Sequence, residues 1–169
     1  MRSKLPKTCL KTLYFAIINS QIIYGLEIYG STYDTYLEPL IKINNKILRI
    51  LQNKPLLTPV NQLYSSYNTL SIKSLYKFKL ICFVHKYVHY RSDLPEIYQN
   101  YFTFNSEVHK HDTRDKDSLH VLLARTSGGQ RSIKIEGSKL WNSVPMSLRS
   151  VRNQKEFKRK IKLMLSVKL

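Results

Sequence analysis

Residues 71–89 read Ser71-Ile72-Lys73-Ser74-Leu75-Tyr76-Lys77-Phe78-Lys79-Leu80-Ile81-Cys82-Phe83-Val84-His85-Lys86-Tyr87-Val88-His89, and this stretch decides the fold. Its apolar side chains point in nearly every direction around a helical wheel, and Ser71 stands where an N-cap belongs. A helix that is apolar on all sides has to be surrounded, so the pattern predicts a central buried helix over 72–89 with the remaining elements packed about it.

On the N-terminal side, Pro6 opens a helix carrying Leu10, Leu13, Tyr14, Ile17 and Ile18 at helical spacing, to about Gln21. Gly25 and Gly30 punctuate the chain before a second helix, whose apolar stripe runs from Tyr36 to Leu51 and which ends near Asn53. Thr58-Pro59 predicts a short helix to about Tyr67. On the C-terminal side, a short helix follows Pro95, and the composition turns polar over 105–118. Leu119–Arg125 and Gln130–Glu136 then look extended on either side of Gly128-Gly129, which predicts a hairpin. Ser138–Asn142 reads as a helical turn stopped before Pro145. A last helix starts at Asn153 with Glu156 three residues on, and packs through Phe157, Ile161, Met164 and Leu165. The expected fold class is mainly α: a helical bundle over 1–104, then a basic extension over 105–169 that holds a small β-hairpin and a basic C-terminal helix.

Composition narrows the function. The 169 residues carry 28 Lys plus Arg against 11 Asp plus Glu, a formal charge of +17. Residues 121–169 hold 12 basic and 2 acidic side chains, a net of +10, whereas 1–110 hold 14 and 6, a net of +8 over twice the length. Such a field calls for phosphate or an acidic partner. Cys9 and Cys82, far apart in sequence, read as free thiols of a reducing compartment. The longest apolar run, Leu13–Ile18, is too short to cross a bilayer, and Pro6 and Asn19-Ser20-Gln21 interrupt any signal-peptide core. The expectation is an intracellular protein, nuclear or cytoplasmic, without a membrane span.

Self-contained catalysis is not expected. The carboxylates form no acid/base pair, Gly128-Gly129 lacks the Lys-Ser/Thr of a phosphate loop, and no serine stands in a strand-to-helix elbow. Metal-ligand residue types crowd only over His109–Asp117, with His120 nearby. A histidine-rich metallohydrolase pattern would need Asp and His where the chain has Thr113 and Arg114, and no cysteine lies close enough in sequence to complete a zinc site. No metal and no cofactor is expected, and the segment reads as a hydrogen-bonded loop. The residues expected to contact nucleic-acid phosphates are Arg114, Arg125, Arg131, Lys134, Lys139, Arg149, Arg152, Lys155, Lys158, Arg159 and Lys162. Trp141, between Leu140 and the turn at Pro145, is expected to pack rather than stack on bases.

Several strings resemble a known family in their order and spacing. Leu13-Tyr14-Phe15-Ala16-Ile17-Ile18-Asn19-Ser20 leads into Tyr24-Gly25-Leu26-Glu27-Ile28-Tyr29-Gly30; then follow His109-x-His111-x-Thr113-Arg114, Ala124-Arg125-Thr126 with Gly129-Gln130-x-Ser132-Ile133, Gly137-x-x-Leu140-Trp141-Asn142-Ser143-x-Pro145, and Phe157-Lys158 with Lys160–Leu165. Their succession resembles the C-terminal, thumb and post-thumb region of reverse transcriptases from jockey-like non-LTR retrotransposons. The resemblance implies a helical thumb that grips template and primer beside a palm, followed by a basic extension. It also implies that this chain lacks the palm, whose two-metal site needs an Asp-Asp pair that occurs nowhere here.

The expectation is therefore a non-catalytic, nucleic-acid-binding C-terminal fragment of an RNA-directed DNA polymerase. Its partners would be RNA, DNA or an RNA–DNA hybrid, together with the remainder of a retroelement polyprotein. The alternatives are a basic module that docks on an acidic protein or a membrane surface, and a retroelement relic without function.

Overall fold

The computed structural model describes residues 5–108 and 115–167 and is mainly helical; among the described residues there is no β-strand. The elements are α1 (Lys7–Leu13), a π-helical turn (Tyr14–Asn19), α2 (Ser20–Ile23), α3 (Leu26–Tyr29), α4 (Asp34–Gln52), α5 (Val60–Tyr67) and α6 (Ile72–His89), then a 3-10 turn (Arg91–Asp93), α7 (Glu96–Gln99), α8 (Asn105–Val108), α9 (Ser127–Gln130), α10 (Ile133–Asn142), α11 (Met146–Arg149) and α12 (Gln154–Val167). The chain forms two compact units, Met1–Tyr76 with Leu165–Leu169, and Lys77–Met164, so the composition change at 104/105 falls inside the second.

In the first unit, α1 with its π turn, α4 and α5 close around Tyr14, Leu48, Leu63, Tyr64 and Tyr67. Asn44, buried on α4, joins two of these tyrosines: it accepts from the Tyr14 hydroxyl at 3.1 Å and donates to the Tyr64 hydroxyl at 3.1 Å. Burial pushes the Tyr14 hydroxyl up to about 12, so this network is neutral and permanently protonated under ordinary conditions. Both α4 and α5 stop at an asparagine in the left-handed region, Asn53 (φ 52°) and Asn68 (φ 51°), a conformation that asparagine tolerates better than most side chains. The α5 N-cap position is Pro59, with no side-chain cap bond, and the Thr58 carbonyl accepts from the Arg49 guanidinium at 3.2 Å.

The second unit holds the larger part of α6, with Leu80, Ile81, Val84, His85 and Tyr87 essentially inaccessible. Phe83 of α6 joins Tyr98, Tyr101 and Phe102 in a ring cluster with contacting centroids 5.1–6.2 Å apart, edge-to-face except for the tilted Phe83–Phe102 pair. The helix α10 comes close to this cluster at Gly137, where a Cβ would stand 3.2 Å from both the Phe102 ring and Val84.

The hairpin expected over 119–136 is not formed. Thr126 caps α9 by accepting from the Gly129 amide, and Ser132 caps α10 by accepting from the Ile135 amide, so the supposed second strand is helical. Ile135, Ser138 and Trp141 are buried at a helical spacing of three, which the alternation of Ile133 and Ile135 conceals. Leu119 pairs elsewhere: it makes an isolated antiparallel bridge with Phe104, while the Asn142 side chain donates to its carbonyl (2.8 Å) and accepts from its amide (3.0 Å). One side-chain amide thus stands in for the neighbouring strand.

Candidate nucleic-acid interface

The candidate surface lies in the second unit and centres on α12. Asn153 starts this helix by accepting from the amides of Lys155 (3.0 Å) and Glu156 (3.2 Å). Glu156 does not complete a capping box; its carboxylate turns to Lys160, 2.7 Å away and one helical turn on, which also holds the carboxyl below its usual range. The one acidic group of the helix is thereby neutralised on its flank. Phe157 and Ile161 are fully buried, and Lys155, Lys158 and Arg159 are exposed at the i, i+3, i+4 positions of the opposite face, with Lys162 half-buried at i+7.

What aims this face is a set of side chains from α6 and its end. His85 meets the Val151 carbonyl at 2.7 Å, His89 meets the Arg149 carbonyl at 2.7 Å, and the Tyr90 hydroxyl donates to the Arg152 carbonyl at 2.7 Å. A carbonyl can only accept, so Nε2 of each histidine carries the proton. Three hydrogen bonds therefore fix the segment that leads into α12. The His85 ring also stacks on Phe157, with Trp141 beside both at 6.2 and 6.0 Å. His85 Nδ1 is buried with no hydrogen-bond partner among the described residues, which fits a neutral imidazole. Burial lowers its pKa, opposed by the bond to Val151 and reinforced by His89 and Lys158. Trp141 is 2% exposed and packs in this cluster.

The other expected contact residues differ in what they are free to do. Arg125, Lys139 and Arg152 are exposed, on the loop before α9, on α10 and on the segment before α12. Arg131 is half-buried; so is Lys134, whose ammonium lies 5.9 Å from the centre of the Tyr101 ring. Arg149 turns inward: its guanidinium donates to the carbonyls of Val144 (2.6 Å) and Asn142 (2.7 Å), closing the C-terminal end of α10. Arg114, with His109, His111 and Thr113, lies outside the described residues. Among the described residues, no three His, Cys, Asp or Glu side chains gather as a metal site would need.

Sequence reasoning overlooked His85, His89 and Tyr90. Their signal was present, because two histidines one turn apart on a helix expected to be central must each find a partner if they are buried. Cys82 is a free thiol that burial pushes up to about 11, with Lys158 and Lys79 only partly offsetting it, so it is no nucleophile at neutral pH. No helix among the described residues is long and apolar enough to cross a membrane. Comparison with the profiles of known protein families, with curated proteins and with solved structures finds no match to this chain.

Proposed function

We propose that the protein is a non-catalytic nucleic-acid-binding module, akin to the thumb and post-thumb region of a non-LTR retrotransposon reverse transcriptase. It positions template and primer through their phosphates. The observation that carries this reading is the division of α12: Phe157 and Ile161 are buried, Glu156 is occupied by Lys160, and Lys155, Lys158 and Arg159 are left to solvent as an unrelieved cationic face. Phosphate contacts of this kind position a helix on a duplex and carry no base information, so binding is nearly indifferent to sequence. Arg152, Arg125 and Lys139 extend the set, while Arg149 serves the fold.

The test is fluorescence anisotropy with a labelled RNA–DNA hybrid, followed by displacement. The reading predicts that unlabelled hybrid and duplexes of unrelated sequence displace it at similar concentrations, and that phosphatidylserine vesicles at equal total charge do not. Displacement by the vesicles as effective as by nucleic acid would favour a membrane-surface module instead.

A further inference from the structure

The unit formed by Met1–Tyr76 with Leu165–Leu169 contains a cleft of about 270 Å³, lined by residues of its first part, that the surface on α12 does not use. Its walls come from one face of α1 (Lys7, Thr8, Lys11), the C-terminal end of α4 (Leu51, Gln52, Lys54) and the last turn of α5 (Ser66, Tyr67). These walls are fixed. The amide of Lys54 donates to the Arg49 carbonyl as part of the helix end, Gln52 donates to the Leu63 carbonyl at 2.9 Å and accepts from Ser66 at 2.5 Å, and the Lys11 ammonium sits 5.8 Å over the Tyr67 ring. A shallower groove lined by Thr8, Lys11, Thr12, Phe15 and Ala16 continues from it.

Three lysines therefore line one small cleft, and among the described residues its lining holds no carboxylate. The acidic residues of 1–76 are Glu27, Asp34 and Glu38 alone, and two of them are paired, Asp34 with Lys73 at 2.8 Å and Glu38 with Lys42 at 2.9 Å. From Glu38 to Gln52 the helix α4 rises by roughly 20 Å, about two and a half screening lengths in physiological salt. None of Lys7, Lys11 and Lys54 forms an ion pair among the described residues.

We propose that this cleft is a binding site for a phosphate monoester of the nucleotide class. The dianionic phosphate lies among Lys7, Lys11 and Lys54, and the ring lies along the groove beside Phe15. The size and concavity suit a terminal phosphate with its sugar better than the flank of a duplex. The apolar contribution comes from Leu51, Tyr67 and Phe15, the charge from the lysines, each as a point charge on a flexible stem. A free nucleotide and the phosphorylated 5′ end of a strand present the same chemistry. The proposal does not rest on the reading of α12.

Isothermal titration of the full chain with adenosine 5′-monophosphate, and with adenosine, is the test, accompanied by amide chemical-shift mapping. The site predicts one saturable event, at least tenfold weaker binding of adenosine, and shifts gathered at residues 7–16, 51–54 and 66–67. Lys7→Gln, Lys11→Gln and Lys54→Gln should each weaken binding about three- to tenfold with helicity unchanged, since each replaces a charge-assisted contact at an accessible wall. Competition by a 5′-phosphorylated octanucleotide but not by its 5′-hydroxyl form would support a strand end as the source, and competition by neither would support a free nucleotide. The proposal is overturned if adenosine binds as tightly as its monophosphate, if the triple Lys→Gln variant binds it unchanged, or if no saturable binding occurs.

Discussion

The ring of His85 lies flat on the ring of Phe157, 3.9 Å between centroids and 19° from parallel, while its Nε2 donates to the Val151 carbonyl at 2.7 Å. One side chain of α6 thus holds both the first packed residue of α12 and the segment that delivers it. Because α12 carries the proposed phosphate contacts, the protonation of His85 bears on the stability of the surface that makes them.

The unfolded chain protonates His85 near pH 6.5, and in the folded protein burial shifts the group lower, with His89 and Lys158 adding to the shift. Between those two values the unfolded state binds the extra proton, so stability rises with pH there. The contribution is present in full above about 6.5 and is lost as pH falls from there through the folded value. Urea midpoints measured between pH 7.5 and 5 should fall accordingly. His85→Phe keeps a ring on Phe157 and removes the titration; it should cost about 1 kcal/mol for the lost hydrogen bond and flatten the acid limb. An acid limb equally steep in the variant would show that other groups set it.

Arg149 should behave as a structural residue within a cationic neighbourhood. Arg149→Gln strips two short bonds from the carbonyls of Val144 and Asn142 and should destabilise the protein by about 1–3 kcal/mol. Calorimetry should show the loss as a lowered Tm. Affinity for a duplex, measured well below that Tm, should stay within about twofold of the wild type.

Two glycines should respond with opposite sign. A Cβ at Gly30 would stand 2.4 Å from Tyr76 Cδ2 and 2.5 Å from the Leu26 carbonyl oxygen, so Gly30→Ala forces a backbone shift and should cost about 1–3 kcal/mol. Gly128 lies in α9 with open space where its Cβ would be, and Gly128→Ala should be neutral or stabilising by up to about 1 kcal/mol. Chemical denaturation of the two variants beside the wild type checks both.

The helices were readable where a long apolar pattern ran without a break. Ile72–His89 and the end of the second helix at Asn53 follow from apolar spacing and from an asparagine that accepts a positive φ. Residues 119–136 were misread because the deciding interactions are not local: Leu119 is paired by Phe104, 15 residues earlier, and by Asn142, 23 residues later. The capping serine and threonine, Ser132 and Thr126, were the local clue to helix, and the glycine pair outweighed them. In the candidate site, the cationic face of α12 was legible from the spacing of its lysines. That Arg149 turns inward was not, since charge alone does not say which guanidinium faces a helix end. The cleft of Lys7, Lys11 and Lys54 escaped the sequence for the same reason as the hairpin: three elements bring together residues that no local pattern links.

The central claim is that the exposed face of α12 binds phosphate, and the salt dependence of duplex binding tests it most directly. Lys155, Lys158 and Arg159 can all be changed to Gln without touching Phe157 or Ile161, so the helix should still pack. If each side chain contacts one phosphate, the slope of log affinity against log salt should become shallower by up to about 2.7, at about 0.9 per contact, and equally so for two duplexes of unrelated sequence. An unchanged slope and affinity in the triple variant, with helicity preserved, would contradict the account.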